Sequence, residues 1–267
     1  LLLGSGVAMI WNLGGSYAVR DWAIAKLDSQ RQAGAVAWAL GVVLFFDDYA
    51  NTAIVGSAMK DVSDHLRISR EKLSYIVDST AAPVATLGIS SWVAFQLSLI
   101  TDGYEAAGVT DHPPAFEVFL NSIPFNMYSI LAIVMVAIIV FTGRDYGEML
   151  DAEHRSWRTG QVNREGARPM QDVESDLGSP SADNPRLVSF FAPIGVLIAV
   201  TIGSALWTGY SPGASLMDMV TNADFASALI YGSFAMVVTG FVLGKAYGIL
   251  SLGESTDTVI DGFGLML

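Results

Sequence analysis

Apolar residues in this chain fall in long runs separated by polar connections, rather than in the narrow stripes of a soluble amphipathic domain. Four runs, 75–100, 123–142, 187–207 and 225–244, approach or exceed the about 20 residues a helix needs to cross about 30 Å of hydrocarbon. A fifth segment, 34–58, is apolar at both ends and carries Asp47, Asp48, Asn51 and Thr52 in its middle. The pattern predicts an all-α, polytopic transmembrane chain, a single transmembrane domain over 1–267. The opening Leu1-Leu2-Leu3-Gly4 has no basic residues before it, so it reads as the remainder of a membrane helix rather than a secretory signal. The closing Gly262-Phe263-Gly264-Leu265-Met266-Leu267 reads as the start of another apolar segment, so both ends are expected to be cut.

Basic residues orient the runs. The connections 20–33, 59–74 and 143–186 hold Arg20, Lys26, Arg31, Lys60, Arg67, Arg70, Lys72, Arg144, Arg155, Arg158, Arg164, Arg168 and Arg186, while 101–122 and 208–224 hold none. Cytoplasmic loops carry the Lys and Arg excess. The run 75–100 is therefore expected to lead outward, 123–142 inward, 187–207 outward and 225–244 inward, with Lys245 back on the cytoplasmic side. The segment 34–58 has a basic connection on each side, so a single crossing would break this alternation. A re-entrant hairpin restores it: one short helix from Ala35 to about Phe46, a break, and a second from about Ala50 to Met59. Non-helical backbone at that depth is tolerated only when buried in protein or lining a wet cavity. One straight helix over 34–58 is the alternative. The connection 143–186, rich in Ser, Gly, Pro and charges of both signs, reads as a mobile polar cytoplasmic loop.

Composition narrows the function class. Residues are 52% hydrophobic and 15% charged, against the roughly 25% charged of a soluble domain. A net charge of -12 with few lysines excludes a nucleic-acid partner and suits a high-salt surrounding. The absence of cysteine removes disulfides, thiolate zinc sites and iron–sulfur clusters. His65, His112 and His154 lie in separate connections without ligand spacing, so no metal cofactor is expected. No acid, base and nucleophile constellation appears, which argues against an enzyme.

The chemistry concentrates in 34–58. A carboxylate near the bilayer centre costs about 2.5 to 3.5 kcal/mol, so a pair of them is read as functional by default. On a helix Asp47 and Asp48 point about 100° apart, Asn51 lies one turn from both, and Thr52 lies one turn from Asp48. Hard oxygen ligands of this kind suit Na+ or Li+, and an unwound backbone adds carbonyls. A carboxylate that takes either a cation or a proton is the minimal basis of antiport. One of the two acids serving only as a helix cap is the alternative. A second cluster, Asp78-Ser79-Thr80-Ala81-Ala82-Pro83 followed by Ser90-Ser91-Trp92, lies inside the run 75–100. Pro83 is expected to kink or open the helix, which places Asp78, Ser79 and Thr80 at a break that forms a second wall of the same site. The alternative has Ser and Thr bonded to their own backbone and Asp78 near the interface. Ser69-Arg70-Glu71-Lys72 reads as a cytoplasmic helix start.

The stretch FFDDYANTAIVGSAMKDVSDHLRISREKLSYIVDSTAAPVATLGISSW, from Phe45 to Trp92, resembles the signature region of the NhaC-type Na+/H+ antiporters. Gly14-Gly15 and Gly143-Arg144-Asp145-Tyr146-Gly147-Glu148-Met149 with Glu153 and Thr159-Gly160 add to the resemblance. It implies two inverted repeats, each with a re-entrant hairpin and a broken transmembrane helix, working by an elevator-like motion in the cytoplasmic membrane. This chain would carry one repeat and the start of the next. The implied activity is exchange of Na+ or Li+ for protons, with a cation site at Asp47, Asp48, Asn51 and Asp78. Related members exchange malate and lactate, so a Na+- or H+-coupled organic-anion or amino-acid transporter stays open. A membrane-embedded Arg would favour that alternative, and the chain has none. The expected partners are the lipid bilayer, an alkali cation and a proton, with no cofactor; a homodimer is compatible with such a chain.

Overall fold

The computed structural model describes residues 1–88, 90–167 and 178–264; Arg168 of the basic set and Leu265, Met266 and Leu267 of the closing run lie outside them. The described residues are helical, with no strand. Four short helices open the chain, α1 (Leu2–Asn12), α2 (Gly15–Lys26), α3 (Gln30–Val43) and α4 (Asp48–His65). They are followed by α5 (Arg70–Ala85), α6 (Ser91–Ala106), α7 (Ala115–Ser122), a 3-10 turn at Ile123–Phe125, α8 (Met127–Thr142) and α9 (Gly147–Thr159). The last part holds α10 (Val188–Thr208), α11 (Leu216–Thr221), α12 (Phe225–Ala246) and α13 (Leu252–Gly264).

Local chemistry sets the starts. Ser29, Asp47, Ser69 and Ser90 each accept a hydrogen bond from a backbone N–H of the first turn, capping α3, α4, α5 and α6 in succession. Such caps contribute about 1 kcal/mol each, which matters for helices of only 14 to 18 residues. Three stretches are long and apolar enough to cross a membrane: Met127–Thr159, which takes α8 and α9 together across Gly143, then Val188–Thr208 and Phe225–Ala246. Their outward faces carry Leu131, Ile138, Phe141, Ile202, Trp207, Phe234 and Val242, all exposed, as a lipid-facing surface requires. The chain is a multi-pass membrane protein.

The segment 34–58 holds two helices with a break at residues 44–47, and the helices run antiparallel. The Gln30 side chain, at the start of α3, donates to the Leu66 and Arg67 carbonyls just beyond the end of α4, at 3.2 and 3.0 Å. A straight helix is thereby excluded. The run 75–100 is also divided, into α5 and α6, but not where Pro83 was expected to divide it. Pro83 sits within α5, which stays helical through Asp78, Ser79 and Thr80 to Ala85. Proline removes its own N–H and crowds the Ser79 carbonyl one turn earlier, but it lies in the last turn of α5, and the helix nonetheless runs on to Ala85.

One apolar core joins these parts. Phe190, Ile194 and Leu197 of α10 and Leu229 and Met236 of α12 pack into the same cluster as Leu40, Ile54, Met59, Ile76 and Val136. At the basic end, the first part of the 143–186 connection is folded rather than loose. Lys72 pairs with Asp145 at 2.8 Å and with Glu153 at 3.6 Å, all three side chains being under 10% exposed. Glu153 also accepts from the Ser69 N–H at 2.6 Å, and Arg155 grips Glu71 at 2.8 and 3.0 Å. These bonds clamp α9 onto the start of α5.

Candidate functional site

The two helix breaks meet. Phe46 O, in the first break, accepts from the N–H of Ser91, the first residue of α6, at 3.2 Å. Gly88, in the second break, lies beneath the Phe45 ring so closely that a Cβ there would stand 2.8 Å from it. Ser90 caps α6 and donates back to Ala85 O, which closes the second break on itself.

At this junction the first turn of α6 presents a different donor to each carboxylate. Asp47 is 7% exposed. Its Oδ1 accepts from the Ala50 N–H at 2.9 Å, the cap of α4, and its Oδ2 accepts from the Ser91 hydroxyl at 3.0 Å. Asp48, half-buried, accepts through Oδ1 from the Trp92 indole N–H at 2.8 Å. Among the described residues no Lys or Arg pairs with either acid. Instead the N-termini of α4 and α6 both lie at the pair, and the positive ends of their dipoles favour negative charge there.

Asn51 ties the junction to its surroundings. It is fully buried, and its Nδ2 lies 2.7 Å from Gly41 O, 3.3 Å from Leu44 O and 3.1 Å from Thr80 O. The amide orientation follows from those three acceptors, since the reverse would face oxygen against oxygen. Asn51 Oδ1 is buried without a hydrogen-bond partner among the described residues. The close approach of α3 to α5 depends on Gly41, where a Cβ would overlap the Thr80 hydroxyl.

The predicted site residues therefore divide. Asp47, Asp48 and Asn51 come together, joined by Thr80 through its carbonyl alone. The Thr80 hydroxyl donates to Ile76 O and Val77 O of its own helix at 2.7 and 3.2 Å, so it is not directed at the acids. Thr52 and Asp78 are exposed and line a separate cavity of about 500 Å³. Ser79 is half-buried on α5, and Pro83 is buried near the end of that helix rather than at a break. Two residues with a direct part in the geometry had been singled out without a role, Ser91 and Trp92. Their signal was a serine pair after Leu87-Gly88, which is a helix-start pattern.

A sequence model of the Na+/H+ antiporter family matches residues 84–267, more than half of the chain. The chain belongs to the Na+/H+ antiporter family. The matched part begins within α5 and takes in α6 and everything after it, so Ser91 and Trp92 lie inside it and Asp47, Asp48 and Asn51 precede it. The chain is also similar to a Haemophilus influenzae protein named only as uncharacterized, with 28% identity over 250 residues, 91% of this chain and 46% of that protein. It thus spans about half the length of the curated relative it matches. No solved structure matches it.

Proposed function

We propose that the full-length protein exchanges Na+ or Li+ for protons across the cytoplasmic membrane, with Asp47 and Asp48 as the groups that alternate between cation and proton. The observation that carries this reading is the meeting of two helix breaks around two acids that have only neutral donors. Burying a carboxylate without an opposite charge is costly, and a bound cation or a proton removes that cost. The two ligands exclude each other at one oxygen, so loading one releases the other. Asp47, fixed by the α4 cap and by Ser91, holds the geometry. Asp48, half-exposed and held by one indole N–H, is the exchanging group. Asn51 contributes its unpartnered Oδ1, and Phe46 and its neighbours supply backbone oxygens at the break. In this reading α3 and α4 form a re-entrant hairpin entering from the cytoplasmic side.

The reading is tested in inverted vesicles carrying the full-length protein, by following the collapse of a pH gradient as Na+, Li+, K+ or malate is added. Na+ and Li+ should dissipate the gradient and K+ should not. Asp48→Asn should abolish the response, and Asp47→Asn should weaken it by at least about tenfold, the effect of losing roughly 1.4 kcal/mol of binding. Undiminished Na+-dependent exchange in both variants would overturn the assignment. A response to malate alone would replace it with a coupled organic-anion transporter.

A further inference from the structure

The cavity that Thr52 and Asp78 line is walled by α1 and α2 on one side and by α4 and α5 on the other. Its outer part carries Arg20, Lys60 and Asp61, residues of the basic, cytoplasmic connections. The antiparallel α4 and α5 measure its depth independently. Thr52 lies eight residues along α4 from Lys60, and Asp78 lies eight residues along α5 from Arg70. Both therefore sit at one level, about 12 Å inward from the basic end. Gly56 lies between them and the mouth, and a Cβ there would meet nothing within 4 Å, so the space is open along the α4 wall.

The charges along this cavity are not equivalent. Arg20 is paired with Asp21 at 2.8 Å and with Asp61 at 3.3 Å, and Arg70 with Asp64 at 2.6 Å. Among the described residues Asp78 has no hydrogen-bond or ion-pair partner. An unpaired carboxylate and a threonine at the inner end of a cavity whose walls also carry Trp11, Ala53, Leu73 and Val77 make the floor attractive to a cation while the mouth is close to neutral. The floor is closed toward the hairpin tip by the next residue along α4. Asn51, bonded to Gly41 O, Leu44 O and Thr80 O, fills the gap between α3, α4 and α5. Beyond it, three residues or about 4.5 Å further along α4, lies Asp48.

We propose that Thr52 and Asp78 form a cytoplasm-side waiting site for a monovalent cation, separate from the tip carboxylates, and that the Asn51 knot is the barrier between the two. The proposal rests on the reading of Asp47 and Asp48 as the exchanging site. A cation enters past Arg20 and Lys60, stands against Asp78, and passes to Asp48 when the Asn51 bonds open.

The test uses single-cysteine versions of the full-length protein in inside-out and right-side-out vesicles, labelled with a membrane-impermeant cationic methanethiosulfonate. Gly56→Cys and Ser74→Cys, both on the cavity wall, should label from the cytoplasmic face and not from the outer face. Na+ or Li+ at about ten times its half-saturating concentration should slow that labelling roughly tenfold, and choline should not. Adding Asp78→Asn should remove the protection and leave labelling without Na+ unchanged. Gly56→Cys costs no packing, so it reports even where Ser74→Cys fails to assemble. Labelling of Lys60→Cys at the mouth without labelling of either wall position would overturn the proposal, as would protection that survives Asp78→Asn. Failure of the tip reading gives a different result: exchange that persists in Asp47→Asn and Asp48→Asn, whatever the labelling pattern.

Discussion

Among the described residues, carboxylates lie wholly or half buried at the basic end and at the hairpin tip, and the two places hold them differently. At the basic end Asp145 and Glu153 face the Lys72 ammonium at 2.8 and 3.6 Å, and Glu153 also receives the Ser69 N–H. At the hairpin tip Asp47 and Asp48 face an amide, a hydroxyl and an indole, all neutral. The Lys72 ammonium offsets one of the two negative charges at the basic end and leaves less there for a cation from solution to answer. A pair of acids held only by neutral donors and helix N-termini keeps a negative charge that a Na+ or a proton can answer. The same residue types thus form a clamp at one end and, in the proposed function, an exchange site at the other, and a fixed counter-charge is what separates them.

The largest effect is expected at the Lys72 clamp. Replacing Lys72 by Met leaves two buried carboxylates with no opposite charge, a loss of about 3 to 5 kcal/mol for a broken buried pair. Thermal unfolding in detergent should show a large drop in Tm, with exchange per folded molecule in vesicles little changed. A variant of ordinary stability and altered ion selectivity would mean that the clamp is itself an ion site.

The next effect in size belongs to Asn51. Asn51→Ala withdraws an amide with two N–H donors from the Gly41, Leu44 and Thr80 carbonyls, the last of which lies inside α5, and a buried polar group left unpaired costs about 1 to 3 kcal/mol, less whatever water recovers. Asn51→Asp should be worse than Ala, because a carboxylate would face those carbonyls. A stable, fully active Asn51→Asp protein would show instead that the residue acts only as a cation ligand through Oδ1. Smaller again is Ser91→Ala, which removes one hydroxyl from Asp47, a hydrogen bond to a charged group worth about 1.5 to 3 kcal/mol when buried. It should raise the half-saturating Na+ concentration roughly tenfold while Trp92→Phe, acting on the half-exposed Asp48, changes it less. Transport titrations of the two variants separate these effects.

A helix break inside 34–58 was legible in the sequence because two acids interrupt an apolar run flanked on both sides by arginines and lysines, though the spacing placed it at 47–49 and the structure places it at 44–47. The second break was legible in kind but not in place. Pro83 is the strongest local signal in 75–100, yet the helix ends where Gly88 slides under Phe45 and Ser90 takes the cap, and that contact is tertiary. The grouping of Thr52 with Asp48 and Asn51 followed from spacing along one helix. Spacing does not say that Asn51 would turn inward to α3 and α5, leaving Thr52, one 100° step on, facing the cavity. The α9 clamp was hidden because its partners, Lys72 and Glu153, are 81 residues apart and sit in what composition marks as loop.

The smallest effect comes from a control that the fold itself supplies. Asp224 caps α12 with nearly the donor set of Asp47: Oδ1 accepts from the Ser227 N–H at 3.0 Å and Oδ2 from the Ser227 hydroxyl at 2.6 Å. What differs is position, since Asp224 lies exposed at the end of α12 beside the connection free of basic residues. The serine hydroxyl and the backbone N–H hold its carboxyl below the usual carboxylate value of 3.8. A depressed value in the folded state means that its contribution to stability is present above 3.8 and is lost as the pH falls through the lowered value. Asp224→Asn should therefore leave Na+-dependent exchange at neutral pH unchanged, and should flatten the acid limb of a stability profile only below about pH 4, where the wild-type carboxyl takes up its proton. If Asp224→Asn instead impaired exchange as Asp47→Asn does, neutral donors alone would account for the behaviour of both acids, and burial at the junction of two helix breaks would lose its place as the deciding feature.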